Sequence, residues 1–212
     1  MPEITDVDDP RLADYARLTD PTFRMAAEAR RGYLVVESAQ PVRVALAAID
    51  SKLVRSVLVT PDQRAALDDV LATLDAPVFV APRDLLRAIV GFDLHRGALA
   101  AIDRAPLAPM HDVIASARVI AIAEALGDHE NLGALFRKAA ALGVEAILLN
   151  PTSADPLYRR CVRVSIGHVL TVPWTRLDAW PDPLAELRSV GFTIAALTPD
   201  PNAVTIDTFA AE

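Results

Sequence analysis

Short apolar runs alternate along the first half of the chain with segments that carry apolar residues at helical spacing. The runs typical of strands are 33–38, 56–60, 77–81 and 97–102. The segments typical of helices are 22–32, 41–49, 62–74 and 83–91. This alternation predicts a small α/β domain.

A second alternating series follows the segment RAPLAPMHD (104–112), which has two prolines and no clear period and is the candidate linker. Its predicted strands are 119–126, 146–150, 169–174 and 192–197, and its predicted helices are 131–143, 155–168 (ending in a turn) and 181–191. Strands this apolar are buried on both faces, which predicts a parallel sheet. The predicted division is a first domain at 1–105, a linker at 106–112 and a second domain at 113–212.

Composition narrows the classes of protein. Hydrophobic residues make up 52% of the chain and aromatic residues only 5%, as expected for an α/β core of small aliphatic side chains. No apolar run is long enough to span a membrane, and the acidic N-terminus does not resemble a signal peptide. The single cysteine, Cys161, excludes an internal disulfide framework, so a soluble cytoplasmic protein is expected. The net charge of −7 argues against a generic nucleic-acid coat, and the scattered histidines predict no metal site.

The segment ENLGALFRKAAALG (130–143) carries the candidate chemistry, because it follows a buried strand where open α/β sheets bind ligands. Asn131 is expected at or beside the helix N-cap, and Gly133 allows a ligand or another backbone to approach. Arg137 lies one turn after Gly133, and Gly143 suits the end of the helix. The residues alone leave two interpretations open: a ligand-facing turn, or a capped core helix with a solvated arginine and no G-x-G-x-x-G fingerprint.

The longer stretch ENLGALFRKAAALGVEAILL (130–149) is similar to the first signature motif of the SpoU (TrmH-type) RNA 2′-O-ribose methyltransferases of the SPOUT superfamily. CVRVSIGHVLTVP (161–173) resembles the next segment of that family. GYLVVES, SVLVT, PVFVA and GFDLHRGALA resemble the small ribosomal-protein-type RNA-binding domain that precedes the methyltransferase domain in many members. The resemblance implies an RNA-binding first domain and a parallel-sheet, trefoil-knot second domain.

The resemblance also implies a reaction: S-adenosylmethionine donates a methyl group to a ribose 2′-hydroxyl of rRNA or tRNA. Asn131 and Arg137 match the family residues on the RNA-facing side, and a homodimer formed through the second domain is expected. A guanidinium stays protonated, so we expect Arg137 to hold a phosphate and stabilise the forming alkoxide rather than act as a base. Thr198, at the end of the last predicted strand, is the candidate contact to the cofactor.

Basic residues elsewhere are candidate RNA contacts, each with an ordinary structural alternative. The candidates are Arg30, Arg31, His95, Arg96, Arg159 and Arg160. Arg30 and Arg31 also suit the helix dipole at a C-terminus, and His95 and Arg96 could be loop residues without a role. Arg159 and Arg160, near Tyr158 and Arg163, could belong to a solvated helix face.

The sequence departs from the family pattern after residue 197, because the second and third family motifs, which form most of the cofactor pocket, are not found there. The second domain is therefore expected to be incomplete at its C-terminus. One alternative is an RNA-binding module without catalysis. Another is an unrelated nucleotide-binding α/β protein, against which the missing glycine-rich phosphate loop counts.

Overall fold

The computed structural model describes residues 3–16, 18–19, 32–92 and 97–210. Contacts divide the chain into two units, 1–178 and 179–212. The first unit contains two sheets, one formed by residues 33–103 and the other by residues 120–176. The boundary predicted between 1–105 and 113–212 falls between these two sheets. That the two parts are separate domains stays a prediction. The predicted helix at 22–32 lies outside the described residues, apart from Gly32.

The first sheet has four strands: β1 (Tyr33–Glu37), β2 (Val54–Val59), β3 (Val78–Val80) and β4 (Ala98–Asp103). Their order is β1-β4-β2-β3, with β4 antiparallel to both neighbours and β2 parallel to β3. The helices along this part of the chain are α1 (Ala39–Ala48), α2 (Pro61–Ala66), α3 (Asp68–Leu71) and α4 (Arg83–Val90). The predicted helix at 62–74 is thus two helices, which separate at Leu67, where the side chain is buried.

Successive residues of the first sheet enter two different cores, because side chains alternate between the faces of a strand. Tyr33 and Val35 of β1 join one core, together with residues from the N-terminal segment and α4. Leu34 and Val36 face the other core, which continues into the second sheet and its helices. The first sheet is therefore buried on both faces.

The second sheet has three parallel strands in the order β5-β6-β7. Its elements are α5 (Met110–Ile114), β5 (Ile120–Ala123), α6 (His129–Leu142), β6 (Ala146–Leu149), α7 (Arg159–Val164) and β7 (Trp174–Arg176). All four residues of β6 are buried. The predicted parallel sheet is confirmed, as is the α/β class of the fold.

The predicted strand at 169–174 is wrong for most of its length. Gly167 takes a left-handed conformation with φ of 85°, and a 3-10 turn, His168–Leu170, follows it. The indole N–H of Trp174 donates to the carbonyl of Val169 over 3.0 Å, which fixes this turn against the strand. Strand β7 therefore begins only at Trp174.

The second unit contains α8 (Pro183–Ser189) and α9 (Ile206–Ala210). The predicted helix at 181–191 is confirmed as α8. The predicted strand at 192–197 is wrong, because this segment is irregular and no described residue pairs with it. Its Leu197 side chain is 88% exposed. A strand needs a neighbour for its backbone hydrogen bonds, whatever its apolar pattern.

Candidate functional site

Helices α6 and α7 both begin at the carboxyl edge of the second sheet. Helix α6 follows β5 through residues 124–128, and α7 follows β6 through residues 150–158. Open parallel sheets bind ligands outside the carboxyl ends of their strands. The candidate motif therefore lies at the edge where its sequence position predicted it.

The N-cap of α6 is Asp128, not Asn131. The Asp128 carboxylate accepts the backbone N–H of Asn131 over 2.8 Å, so the aspartate already satisfies a free donor of the first turn. The prediction that Asn131 lies at or beside the N-cap is wrong by about one turn of helix. The Asn131 side chain is exposed, and none of the described residues hydrogen-bonds to its carboxamide.

Gly133 is required by helix packing. A Cβ atom at this position would lie 2.7 Å from the carbonyl oxygen of Cys161 and 2.9 Å from Cβ of Val164. The sequence left open whether a ligand or another backbone approaches Gly133, and the structure shows the backbone of α7 there. Gly143 ends α6 with φ of 72°, as predicted. Burial raises the pKa of the Cys161 thiol to about 12, and the side chain packs in the core as a small hydrophobic group.

Arg137 is exposed on the outer surface of α6. No described residue forms a hydrogen bond or ion pair with its guanidinium. Arg160 differs, because it donates to the carboxylate of Glu130 over 2.8 Å and this hydrogen bond raises the pKa of Arg160. An anion that binds Arg160 must displace the carboxylate of Glu130. An anion can bind Arg137 without displacing any partner among the described residues.

The other predicted RNA contacts have different surroundings. Arg159 lies 3.7 Å from the carboxylate of the buried Glu37 and over the ring of Phe92, and Arg163 lies 3.8 Å from the same carboxylate. Arg159 therefore contacts the first sheet, whereas Arg160 lies toward solvent. Four candidates lie outside the described residues: Arg30, Arg31, His95 and Arg96.

Two aromatic residues that the sequence did not single out for function meet at this edge. The rings of His129 and Tyr158 have centroids 4.5 Å apart and are tilted by 53°. Burial lowers the pKa of His129 below its ordinary value. His129 is the first residue of α6 and Tyr158 is the N-cap of α7. These helices follow the neighbouring strands β5 and β6, and this equivalent position is the signal that could have identified the two residues.

A hydrogen-bond network holds the two loops together. Oδ1 of Asn150 accepts the N–H of Ala125 over 2.9 Å and the hydroxyl of Ser153 over 2.8 Å. Ala125 has φ of 50°, a left-handed conformation that residues with a Cβ seldom adopt. The guanidinium of Arg176 donates to the carbonyls of Asn150, Pro151, Ser153 and Ala154. The loops that lead into α6 and α7 are thereby joined to each other and to β7, and the sequence had not indicated these partners.

Comparisons with known proteins show the family of the chain. A family model described as the SpoU rRNA methylase family matches residues 118–212. A protein of Mycobacterium tuberculosis named an uncharacterized tRNA/rRNA methyltransferase is 41% identical over 202 residues, which are 95% of this chain and 69% of the relative. The chain belongs to the SpoU methylase family.

Solved structures share the fold. An RNA 2′-O ribose methyltransferase aligns with a TM-score of 0.68 at 23% identity, over 96% of this chain and 76% of that one. The SpoU methyltransferase AviRb from Streptomyces viridochromogenes, in complex with AdoMet, aligns with a TM-score of 0.68 at 19% identity, over 86% of this chain and 69% of that one. The SpoU family match includes the whole of α6 and α7, so the candidate site lies within it.

The remaining predicted site residue of this SpoU protein is Thr198, in the second unit. Thr198 is exposed in an irregular segment, and its hydroxyl accepts the backbone N–H of Asp200 over 3.2 Å. The strand that was expected to end beside it does not form. Its role as a cofactor contact stays a prediction.

Two shallow clefts of about 280 and 260 Å³ lie in the first unit. Both are lined by Arg104, Leu107 and Trp174, and neither is lined by Asn131 or Arg137. In the described part of the chain, no three His, Cys, Asp or Glu side chains stand close enough to hold a metal ion. None of the helices described there has the length and apolar character to cross a membrane.

Proposed function

We propose that this SpoU family member methylates a ribose 2′-hydroxyl of rRNA or tRNA, with S-adenosylmethionine as the donor. The observation that carries the proposal is the pair of exposed polar side chains on α6, Asn131 and Arg137, which have no partner among the described residues and match the N-x-G-x-x-x-R pattern. The names of the relatives support the reaction, because one is called a tRNA/rRNA methyltransferase and another an RNA 2′-O ribose methyltransferase.

Arg137 acts on the RNA side of the reaction as a permanent cation. Its guanidinium holds a phosphate next to the target ribose and offsets negative charge that develops on the 2′-oxygen. The Asn131 carboxamide has both a donor and an acceptor, so it orients the hydroxyl group. Because the packing of Gly133 against α7 fixes α6, both side chains start from a rigid backbone.

S-adenosylmethionine, when bound, supplies an electrophilic methyl group on a sulfonium. The two clefts described above are not lined by Asn131 or Arg137, so they do not identify a site for this molecule beside the motif. The support for this donor comes instead from a fold neighbour that was solved in complex with AdoMet. The roles given to Asn131 and Arg137 concern the RNA alone.

The remaining RNA contacts and the assembly are part of the same proposal. Arg160 is an exposed basic residue of α7 and continues the RNA surface from α6, whereas Arg159 lies beside the buried Glu37. Arg30, Arg31, His95 and Arg96 extend this surface in the proposal. A homodimer and a cytoplasmic location complete it, as the family resemblance implies.

Replacement of Arg137 by alanine tests the proposed role. We expect kcat/KM for transfer of labelled methyl groups to rRNA or tRNA to fall by about 100-fold or more, as on removal of a group that stabilises transition-state charge. Lys138→Ala is the matched control, because Lys138 is the next residue on the same helix and is also exposed. Equal transfer by wild type and Arg137→Ala would contradict the assigned role.

The alternative is an RNA-binding module without catalysis. The observation that favours it is that neither of the two clefts described above is lined by Asn131 or Arg137. Calorimetric titration of S-adenosylmethionine into the purified chain separates the two functions, because saturable binding contradicts the alternative and its absence contradicts the enzyme. Membership of the SpoU family removes the third alternative, an unrelated nucleotide-binding protein.

A further inference from the structure

The aromatic pair His129–Tyr158 lies at the starts of α6 and α7, and the proposed reaction gives it no role. His129 is the first residue of α6, two positions before Asn131, and Tyr158 is the N-cap of α7. Their ring centroids are 4.5 Å apart, and both residues are only half-buried. An aromatic pair therefore lies at the start of the helix that carries Asn131 and Arg137.

The backbone of Tyr158 is hydrogen-bonded, whereas the polar side-chain atoms of both residues have no hydrogen-bond partner among the described residues. The carbonyl of Tyr158 accepts the N–H groups of Cys161 and Val162 over 2.9 and 3.1 Å, and the N–H of Tyr158 donates to Asp155 over 3.2 Å. In contrast, no hydrogen bond joins the Tyr158 hydroxyl or either imidazole nitrogen of His129 to any residue that the structure describes. Aromatic side chains with polar tips of this kind suit a ligand that is both flat and polar.

The charges around the pair are largely compensated. Arg104 donates to the carboxylate of Asp155 over 2.8 Å, and Arg160 donates to Glu130 over 2.8 Å. Asp128 caps α6. Burial lowers the pKa of His129, which favours the neutral form of its ring. The surface is therefore aromatic and close to neutral, unlike the bare cation of Arg137.

We propose that His129 and Tyr158 form a stacking platform for a nucleobase of the substrate RNA. The platform rests on the proposed function, since it binds a base of the same RNA whose ribose and phosphate are assigned to Asn131 and Arg137. Single-stranded RNA is recognised by stacking of splayed bases on aromatic side chains, with hydrogen bonds to the base edges. The free imidazole nitrogens and the phenol hydroxyl supply such hydrogen bonds.

The test uses short single-stranded oligoribonucleotides in which 2-aminopurine replaces one base at a time. The fluorescence of 2-aminopurine falls when it stacks, so one position is expected to be quenched on binding to the purified chain. His129→Ala and Tyr158→Ala are each expected to weaken binding by about 5- to 150-fold, as for loss of one stacked base. An RNA with an abasic site at the quenched position is expected to bind the wild-type chain as weakly as the normal RNA binds His129→Ala. When the abasic RNA and His129→Ala are combined, the fold-loss in affinity is expected to be smaller than the product of the two separate fold-losses, because both changes delete the same stacking interaction.

Matched variants separate stacking from other effects. His129→Phe and Tyr158→Phe keep the rings and are expected to retain most of the quenching, and His111→Ala removes another exposed histidine and leaves binding unchanged. Arg137→Ala is expected to lower the salt dependence of binding by about one counterion, whereas His129→Ala leaves it unchanged. Circular dichroism checks the folding of each variant, and His129→Ala decides the matter if Tyr158→Ala does not fold.

Two results would overturn the platform, and they are distinguishable. Wild-type binding that survives unchanged in His129→Ala overturns the platform and leaves the proposed function standing. Absence of RNA binding by the wild-type chain overturns the proposed function, and the platform with it.

Discussion

Polar groups buried against the first sheet and polar groups on the outer surface of α6 differ in whether they have hydrogen-bond partners. The Tyr15 hydroxyl is fully buried, lies 2.8 Å from both the carbonyl and the hydroxyl oxygen of Ser56, and accepts the N–H of Ala101 over 3.3 Å. The exposed side chains of Asn131 and Arg137 have no partner in the described part of the chain.

The bonds of Tyr15 have a structural cause. The register between β2 and β4 shifts between Val54 and Ser56, which leaves backbone groups of the ladder without their regular partners. The Tyr15 hydroxyl bonds at this shift, and its burial raises the pKa of the phenol well above the ordinary value. Paired buried groups of this kind hold a fold together, while unpaired exposed groups on a rigid helix remain available to a ligand.

The largest expected effect concerns the packing that presents the outer surface of α6. Gly133→Ala places a Cβ 2.7 Å from the backbone oxygen of Cys161, which cannot move aside as a flexible side chain would. We expect the free energy of unfolding to fall by about 3 kcal/mol in urea denaturation. Gly127→Ala is the control, because no atom lies within 4 Å of the added carbon, and an equal loss in both variants would contradict the packing argument.

Tyr15→Phe should have the next largest effect. It leaves the N–H of Ala101 and the groups of Ser56 buried without the phenol, and we expect a loss of about 2 kcal/mol in the free energy of unfolding. Tyr158→Phe removes a hydroxyl that has no described partner, so thermal or urea denaturation should show a change below about 0.5 kcal/mol. A similar decrease in the free energy of unfolding for Tyr15→Phe and Tyr158→Phe would contradict the difference between buried, paired groups and exposed, unpaired ones.

Asn150→Ala should cost about 1 kcal/mol in the same denaturation experiment. It removes the acceptor of the Ala125 N–H and of the Ser153 hydroxyl. Ala125 is exposed, so water replaces part of the first bond, and the Ser153 hydroxyl keeps the carbonyl of Ala123 as an acceptor. Asn131→Ala is the control on the unpaired surface, where stability should stay within about 0.5 kcal/mol. A destabilisation by Asn131→Ala as large as that by Asn150→Ala would show that Asn131 has a structural role.

The smallest effect is a pH dependence from His129. Burial of the ring lowers its pKa in the folded state below the value of 6.5, against the opposing charges of Asp155 and Asp128. The unfolded state then binds a proton more readily, so stability from this residue is present above pH 6.5 and is lost as pH falls below it. Urea denaturation above and below pH 6.5 should show a smaller difference for His129→Phe than for wild type, and equal differences would contradict the assignment.

Strands and helices with a strong local signal were predicted well. The apolar runs of β1, β2, β4 and β6 and the capped ends of α6 at Gly143 and α4 at Gly91 are confirmed, since these residues have the same preference in isolation and in the fold. The irregular segment at 192–197 was not predicted, because its apolar pattern indicates a strand and only the absence of a partner among the described residues decides otherwise.

The site was predicted in part. The N-x-G-x-x-x-R pattern identified α6 and the family, since a short motif is readable without knowledge of distant contacts. The network of Asn150, Ser153 and Arg176 joins residues from β6, its following loop and β7, so no local pattern could reveal it. The position of Arg159 beside Glu37 was hidden for the same reason.

The sequence by itself determined the α/β class, the parallel second sheet, the position of α6 at the ligand-binding edge and the residues Asn131 and Arg137 as candidates. These follow from hydrophobic periodicity and local motifs, which act over a few residues. The tertiary structure decided which polar groups are satisfied: Arg159 and Arg160 pair with glutamates that are distant in sequence, His129 meets Tyr158, and Gly133 admits the backbone of α7. Such pairings depend on how separate helices and strands pack, and this packing selects the side chains that remain free for a ligand.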